Sequence, residues 1–156
     1  MELERGRKHP AHMPPVERHN EPIIIFLTVC TDDRKEILAT TETSAAIVSA
    51  WRQAGRWLVG RYVIMPDHIH LFCAPATIEF EPLKLWVRYW KNEASKHWPR
   101  IAEHPIWQRD FWDTQLRRHE SYAEKWEYVR NNPVRAGLVT NPDACPFQGE
   151  LSVLQW

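Results

Sequence analysis

Glycine is scarce in this chain, at five of 156 residues, cysteine is scarcer at three, and charge of neither sign prevails, with 20 Lys+Arg against 20 Asp+Glu. Each shortage excludes something. No Gly-rich phosphate loop is present, so nucleotide-cofactor binding of the P-loop or dinucleotide kind is not expected. Cys30, Cys73 and Cys145 are odd in number, far apart and without a CxxC pair. Neither a disulfide framework nor a cysteine zinc site is supported, and a reducing compartment is expected. No apolar run approaches the roughly 18 residues that suggest a membrane span. The opening MELERGRKHPAHMPP lacks the apolar stretch of a secretory signal, so the expected location is cytoplasmic.

What is present is ordinary for a globular protein: 44% hydrophobic and 26% charged residues, with nine Trp. At about 100 to 200 residues per domain, one domain is expected. Residues 1–21 mix charges with prolines and read as a loose arm, residues 22–147 as the domain, and residues 148–156 as a C-terminal tail. PIIIFLTVCT, from Pro22 to Thr31, is rich in β-branched residues and stops at Asp32-Asp33, predicting a buried strand and a turn. Ala45, Val48, Trp51 and Ala54 recur at helical spacing up to Gly55, predicting a helix over 41–55. Residues 57–65 and 68–74 are two strand-like runs joined by Pro66-Asp67, a hairpin.

A second helix is predicted over 80–98, with Leu83, Trp86, Val87, Trp90, Ala94, His97 and Trp98 on one arc and Lys84, Arg88 and Lys91 beside it. Residues 106–116 read as a strand or extended loop. Ser121 and Glu124 have the form of a capping box for a third helix that runs to about Asn131 before Asn132-Pro133. The order of elements predicts an α+β, ferredoxin-like (split βαβ) antiparallel sheet with helices packed on it, plus a C-terminal helix.

Charge is uneven within the neutral total. Residues 84 to 119 hold eight basic side chains against four acidic ones, so this stretch is where a polyanion would meet the protein. WVRYWK and IWQR interleave aromatic and basic residues, a pattern that stacks bases and holds phosphates, although most of the nine Trp are expected in the core.

Two groups carry chemistry. His68 and His70 are two apart on a predicted strand, so both imidazoles leave the same face and can reach one metal ion. Two hydrogen-bonded surface histidines would share that pattern, and a third ligand decides between the two readings. Tyr128 points away from Tyr122, Trp126, Val129 and Pro133 on the third helix, onto a polar face. Asn132, four residues on, offers an amide oxygen to a hard cation beside the phenol if the helix persists.

PDHIHLF, WQRDFWD and EYVRNNPVRAGLV, in that order and spacing, resemble the REP-associated tyrosine transposases, a branch of the single-tyrosine HUH nucleases related to insertion-sequence transposases. The resemblance covers roughly residues 22 to 147. It implies a domain that binds REP-type DNA hairpins and cleaves and rejoins single-stranded DNA through a covalent 5′-phosphotyrosine. It also implies Tyr128 as nucleophile, His68, His70 and Asn132 as ligands of Mg²⁺ or Mn²⁺, and DNA contacts by Arg109, Arg117 and Arg118, alongside the basic edge of Lys84, Arg88 and Lys91. Partners would be single-stranded or hairpin DNA, with no membrane and no nucleotide cofactor, and the protein a monomer or homodimer. Two other readings remain at this point: a hairpin-binding protein that does not cut, and a small metal-dependent phosphodiesterase that uses water.

Overall fold

The computed structural model describes residues 23–117 and 121–155. The first strand, β1, is Ile25–Cys30, and all six of its residues are buried. A strand buried on both faces needs cover on both, which the rest of the chain supplies. Helix α1, Thr41–Gln53, starts where the Thr40 hydroxyl accepts the Thr43 amide at 3.1 Å. The hairpin follows as β2, Trp57–Ile64, and β3, His68–Pro75, paired antiparallel. Then come α2, Leu83–Lys96, β4, Trp112–Gln115, α3, Tyr122–Arg130, the short α4, Asn132–Arg135, and β5, Gln148–Glu150.

The strands form one sheet in the order β4-β1-β3-β2-β5, with every neighbouring pair antiparallel. Ile25, Leu27 and Val29 of β1 and Ile69, Leu71 and Cys73 of β3 join the core beneath α1 and α2. The alternate residues Phe26 and Phe72 face the other way, into a second core closed by Tyr122, Trp126 and Val129 of α3 with Leu154. The period of two in the strands thus divides each sequence run between two cores.

Of residues 148–156, expected as a tail, Gln148–Glu150 form β5 at the far edge of the sheet and Leu154 enters its second core. One irregularity fixes how that core closes. Val59 pairs with Cys73 and Tyr62 with Leu71, so Gly60 and Arg61 together oppose Phe72 in a β-bulge. A Cβ on Gly60 would lie 2.6 Å from both Leu154 Cδ1 and Tyr122 Oη, so only glycine lets those side chains come down on the strand. The Arg61 amide donates to Tyr122 Oη at 2.9 Å, which satisfies the bulged backbone.

On α2 the expected arc is buried at Leu83, Trp86, Val87, Trp90, Ala94 and Trp98. His97 is exposed instead, because the helix ends at Lys96 and His97 forms its C-cap. Lys91, expected on the basic rim, is buried: residues 106–110 run alongside α2, and Lys91 Nζ donates to the Gln108 carbonyl at 2.8 Å. Trp86 and Trp90 are fully buried, so they present no face for a base to stack on, whereas Tyr89 is half exposed.

Candidate active site and nucleic-acid interface

His68 and His70 leave β3 on the side of the second core, with ring centroids 4.7 Å apart at 74°. Each ring is held by its Nδ1. His68 Nδ1 meets Asp67 Oδ1 at 2.7 Å, and His70 Nδ1 meets Thr28 Oγ1, directly across β1, at 2.8 Å. A carboxylate only accepts, so the neutral His68 carries its proton on Nδ1 and leaves the Nε2 lone pair free. Phe26 stacks on His70 with centroids 5.3 Å apart and fixes the ring plane.

Burial pushes the His68 imidazole below its ordinary value, against the pull of Asp67. His70 lies well below it, through burial first, then the His68, Arg135 and Arg34 charges. Burial would raise the Asp67 carboxyl, but its bonds to His68 and Arg34 more than offset this and hold it low. Both imidazoles are therefore neutral near pH 7, the form that ligates metal.

On α3 the Ser121 hydroxyl accepts the Glu124 amide, as the capping box requires. Tyr122, Trp126 and Val129 pack inward, and Tyr128 is 48% exposed. The two tyrosines differ in kind: burial pushes the Tyr122 hydroxyl up to about 12, and its oxygen is already engaged by Arg61. At Asn131 the helix breaks before α4 resumes, so Asn132 heads a new helix with Pro133 in its first turn.

Arg135, one turn further on, ties the two candidate residues together. Its guanidinium carbon stands 4.1 Å from the centroid of the Tyr128 ring, and Nη2 donates to Asn132 Oδ1 at 3.2 Å. The same charge is felt at His70. Lys125, three residues before Tyr128, lies 5.7 Å from the centre of the Phe26 ring that stacks on His70. The tyrosine-bearing helices therefore sit against the sheet face that displays the histidines. Arg135 was not singled out from the sequence, because it lies past Pro133 and beyond the helix break at Asn131, where helical spacing from Tyr128 no longer holds.

Two imidazoles with their Nδ1 atoms tied back have the chemistry of ligands for a borderline divalent ion. Asn132 Nδ2 is a buried donor without a hydrogen-bond partner, and only Oδ1, which accepts from Arg135, could face a cation. Among the described residues no three His, Cys, Asp or Glu side chains converge, so an amide would have to complete the set.

Lys84, Arg88, Lys91 and Arg109 come together along a cleft of about 600 Å³ between α2 and residues 104–111. Among the described residues no carboxylate pairs with Lys84, Arg88 or Arg109. Burial lowers the Lys91 ammonium to about 8 against the attraction of Asp110. Arg117 is exposed just past β4, and Arg118 lies outside the described residues. The cleft is linked to the histidines by backbone: Lys91 bonds to the Gln108 carbonyl, the Gln108 amide donates to the Cys30 carbonyl at 3.0 Å, and Cys30 stands opposite His68.

No family model matches the chain. The REP-associated tyrosine transposase of Escherichia coli K12 is 26% identical over 133 residues, covering 78% of this chain and 73% of that one. A Haemophilus influenzae protein named for the same family is 25% identical over 134 residues, covering 74% and 73%. Among solved structures, a REP-associated tyrosine transposase bound to a REP hairpin superposes with a TM-score of 0.67 at 23% identity, over 87% of this chain and 82% of that one. A Deinococcus radiodurans chain assigned to the transposases gives 0.51 at 17% identity, over 76% and 97%. The chain is thus similar in sequence to the REP-associated tyrosine transposases, and its antiparallel α+β fold is that of a solved one.

Proposed function

We propose that the protein binds REP-type DNA hairpins, and cleaves and rejoins single-stranded DNA beside them through a covalent 5′-phosphotyrosine on Tyr128. What supports this reading is an exposed tyrosine and an amide, tied to each other through Arg135, on helices packed against the sheet face from which two tied-back imidazoles project. The strand order β4-β1-β3-β2 with α1 and α2 against one face is the arrangement of a ferredoxin-like domain, which supports the same reading.

His68, His70 and Asn132 would hold Mg²⁺ or Mn²⁺, with Mn²⁺ better matched to imidazole. When bound, the ion supplies positive charge that polarises a non-bridging phosphate oxygen. The protein's own groups do the rest. Thr28 and Asp67 keep the imidazoles oriented, and Phe26 limits their rotation. Lys84, Arg88 and Arg109 offer cations to the DNA backbone along the cleft, and the link through Gln108 and Cys30 sets that cleft one strand away from the histidines.

Tyr128 Oη attacks phosphorus, the bond from phosphorus to the 3′-oxygen breaks, and the proton lost by the phenol is balanced by the one gained on the 3′-hydroxyl. A later 3′-hydroxyl reverses the step, so strands join without ATP. Tyr122 cannot substitute, because its oxygen is buried on the Arg61 amide. Incubation with labelled hairpin-bearing single-stranded DNA and Mn²⁺ should give a denaturation-resistant adduct that maps to Tyr128. Cleaved DNA with no adduct would mean that water is the nucleophile.

A further inference from the structure

We propose that Arg135 is a catalytic residue of this site: its guanidinium contacts the phosphate that Tyr128 attacks and steadies the phenol for that attack. The inference rests on the tyrosine mechanism above. Three observations lead to it. The guanidinium lies over the Tyr128 ring at 4.1 Å, and donates to Asn132 Oδ1 at 3.2 Å, so it bridges the candidate nucleophile and the candidate ligand. Among the described residues that amide takes one of its five N–H donors, and no carboxylate pairs with it. Arg130, five residues earlier, makes the contrast: it is held by Glu127 at 3.0 Å and Asp143 at 2.9 Å.

The third observation is the charge of the surroundings. Two imidazoles, an amide and a phenol bring no negative charge, and Asp67 is matched by Arg34 at 2.9 Å. Arg135 and Lys125 are the cations that α3 and α4 hold toward this face. A site so composed is complementary to an anion before any metal enters. A guanidinium suits the task because it stays protonated, offers a planar fork to two phosphate oxygens and stacks on an aromatic face. In the transfer step the bond from Oη to phosphorus forms while the bond to the 3′-oxygen breaks, and charge builds on the non-bridging oxygens. Arg135 keeps all its protons and donates hydrogen bonds to those oxygens.

The test compares Arg135→Gln, Arg135→Lys and Arg135→Ala in the full chain, using labelled hairpin-bearing single-stranded DNA with Mn²⁺. Single-turnover adduct formation, hairpin affinity and melting temperature are read for each. Glutamine keeps a donor for Asn132 but drops the charge, so it separates electrostatics from the structural tie. Arg135→Gln should slow adduct formation by about 10²-fold, the loss typical of one transition-state donor, while affinity and melting temperature stay close to wild type. Lysine should recover part of the rate, and free guanidinium ion should accelerate Arg135→Ala but not the wild type.

A wild-type rate in Arg135→Gln would overturn the proposal. So would a loss that follows the melting temperature or hairpin affinity, or an Arg135→Ala protein that guanidinium leaves unchanged. A wild-type protein that forms no adduct at all would instead remove the tyrosine mechanism, and this inference with it.

Discussion

Tyr122→Phe removes one oxygen from the inner face of α3 and leaves the ring, which stays against Phe72 at 4.8 Å between centroids. What disappears is the acceptor for the Arg61 amide at the β-bulge. A buried N–H left without a partner costs about 1–3 kcal/mol. For a chain of this length each kcal/mol moves the melting temperature by about 2–4 °C, so a fall of about 2–12 °C is expected at neutral pH. The pH dependence gives a second signature. Burial raises the Tyr122 hydroxyl to about 12, whereas an unfolded tyrosine titrates near 10. The unfolded chain therefore ionises first, and this contribution to stability is complete below about pH 10 and lost as pH rises toward about 12. Thermal melts across that window should show a steeper alkaline fall in the wild type than in Tyr122→Phe. Adduct formation at neutral pH should persist in the variant, since Tyr128 is untouched. Equal melting temperatures at neutral pH, or the same alkaline fall in both proteins, would refute the assignment of that oxygen to the bulge.

Arg88→Glu combined with Arg109→Glu should weaken hairpin binding and make the slope of log affinity against log salt shallower by roughly 0.7–0.9 for each phosphate that is no longer neutralised. Reversal at Lys91 is the wrong probe, because that side chain is buried on the Gln108 carbonyl and its loss would disturb the fold. An unchanged slope would place the DNA away from the cleft. His68→Ala and His70→Ala should each abolish cleavage, as should chelation of divalent ions, while hairpin binding remains. His70→Ala should also cost about 1–3 kcal/mol in a chemical melt, since it leaves Thr28 Oγ1 unpaired in a buried site. Cleavage that survives in the double alanine variant would exclude a metal on these residues.

Local patterns carried the parts of the fold that depend on local physics. Alternation along β3 sent Ile69 and Leu71 to one core and His70 to the other face, and helical spacing found the buried arc of α2 from Leu83 to Ala94. The same spacing separated Tyr128 from Tyr122. What was not legible depends on partners distant in sequence. Residues 148–150 are Gln-Gly-Glu, with nothing strand-like in their composition, and become β5 only because the edge of β2 is open to them. Lys91 sits beside Lys84 and Arg88 on a helical wheel, yet residues 106–110 bury it. The bulge at Gly60 and Arg61 exists because Tyr122 and Leu154 arrive from more than 60 residues away. Arg135 falls past a proline and beyond the break at Asn131, where periodicity gives no guidance, and its importance is visible only from the ring and amide it touches.

Whether one exposed phenol takes the DNA phosphate is tested most directly by Tyr128→Phe, which removes a single oxygen. The ring is half exposed and the variant keeps it, so melting temperature and hairpin affinity should match the wild type. With labelled hairpin DNA and Mn²⁺, both the covalent adduct and strand cleavage should disappear, and mass mapping of the wild-type adduct should place the nucleotide on Tyr128. Normal cleavage by Tyr128→Phe, or an adduct on Tyr122, would contradict the account.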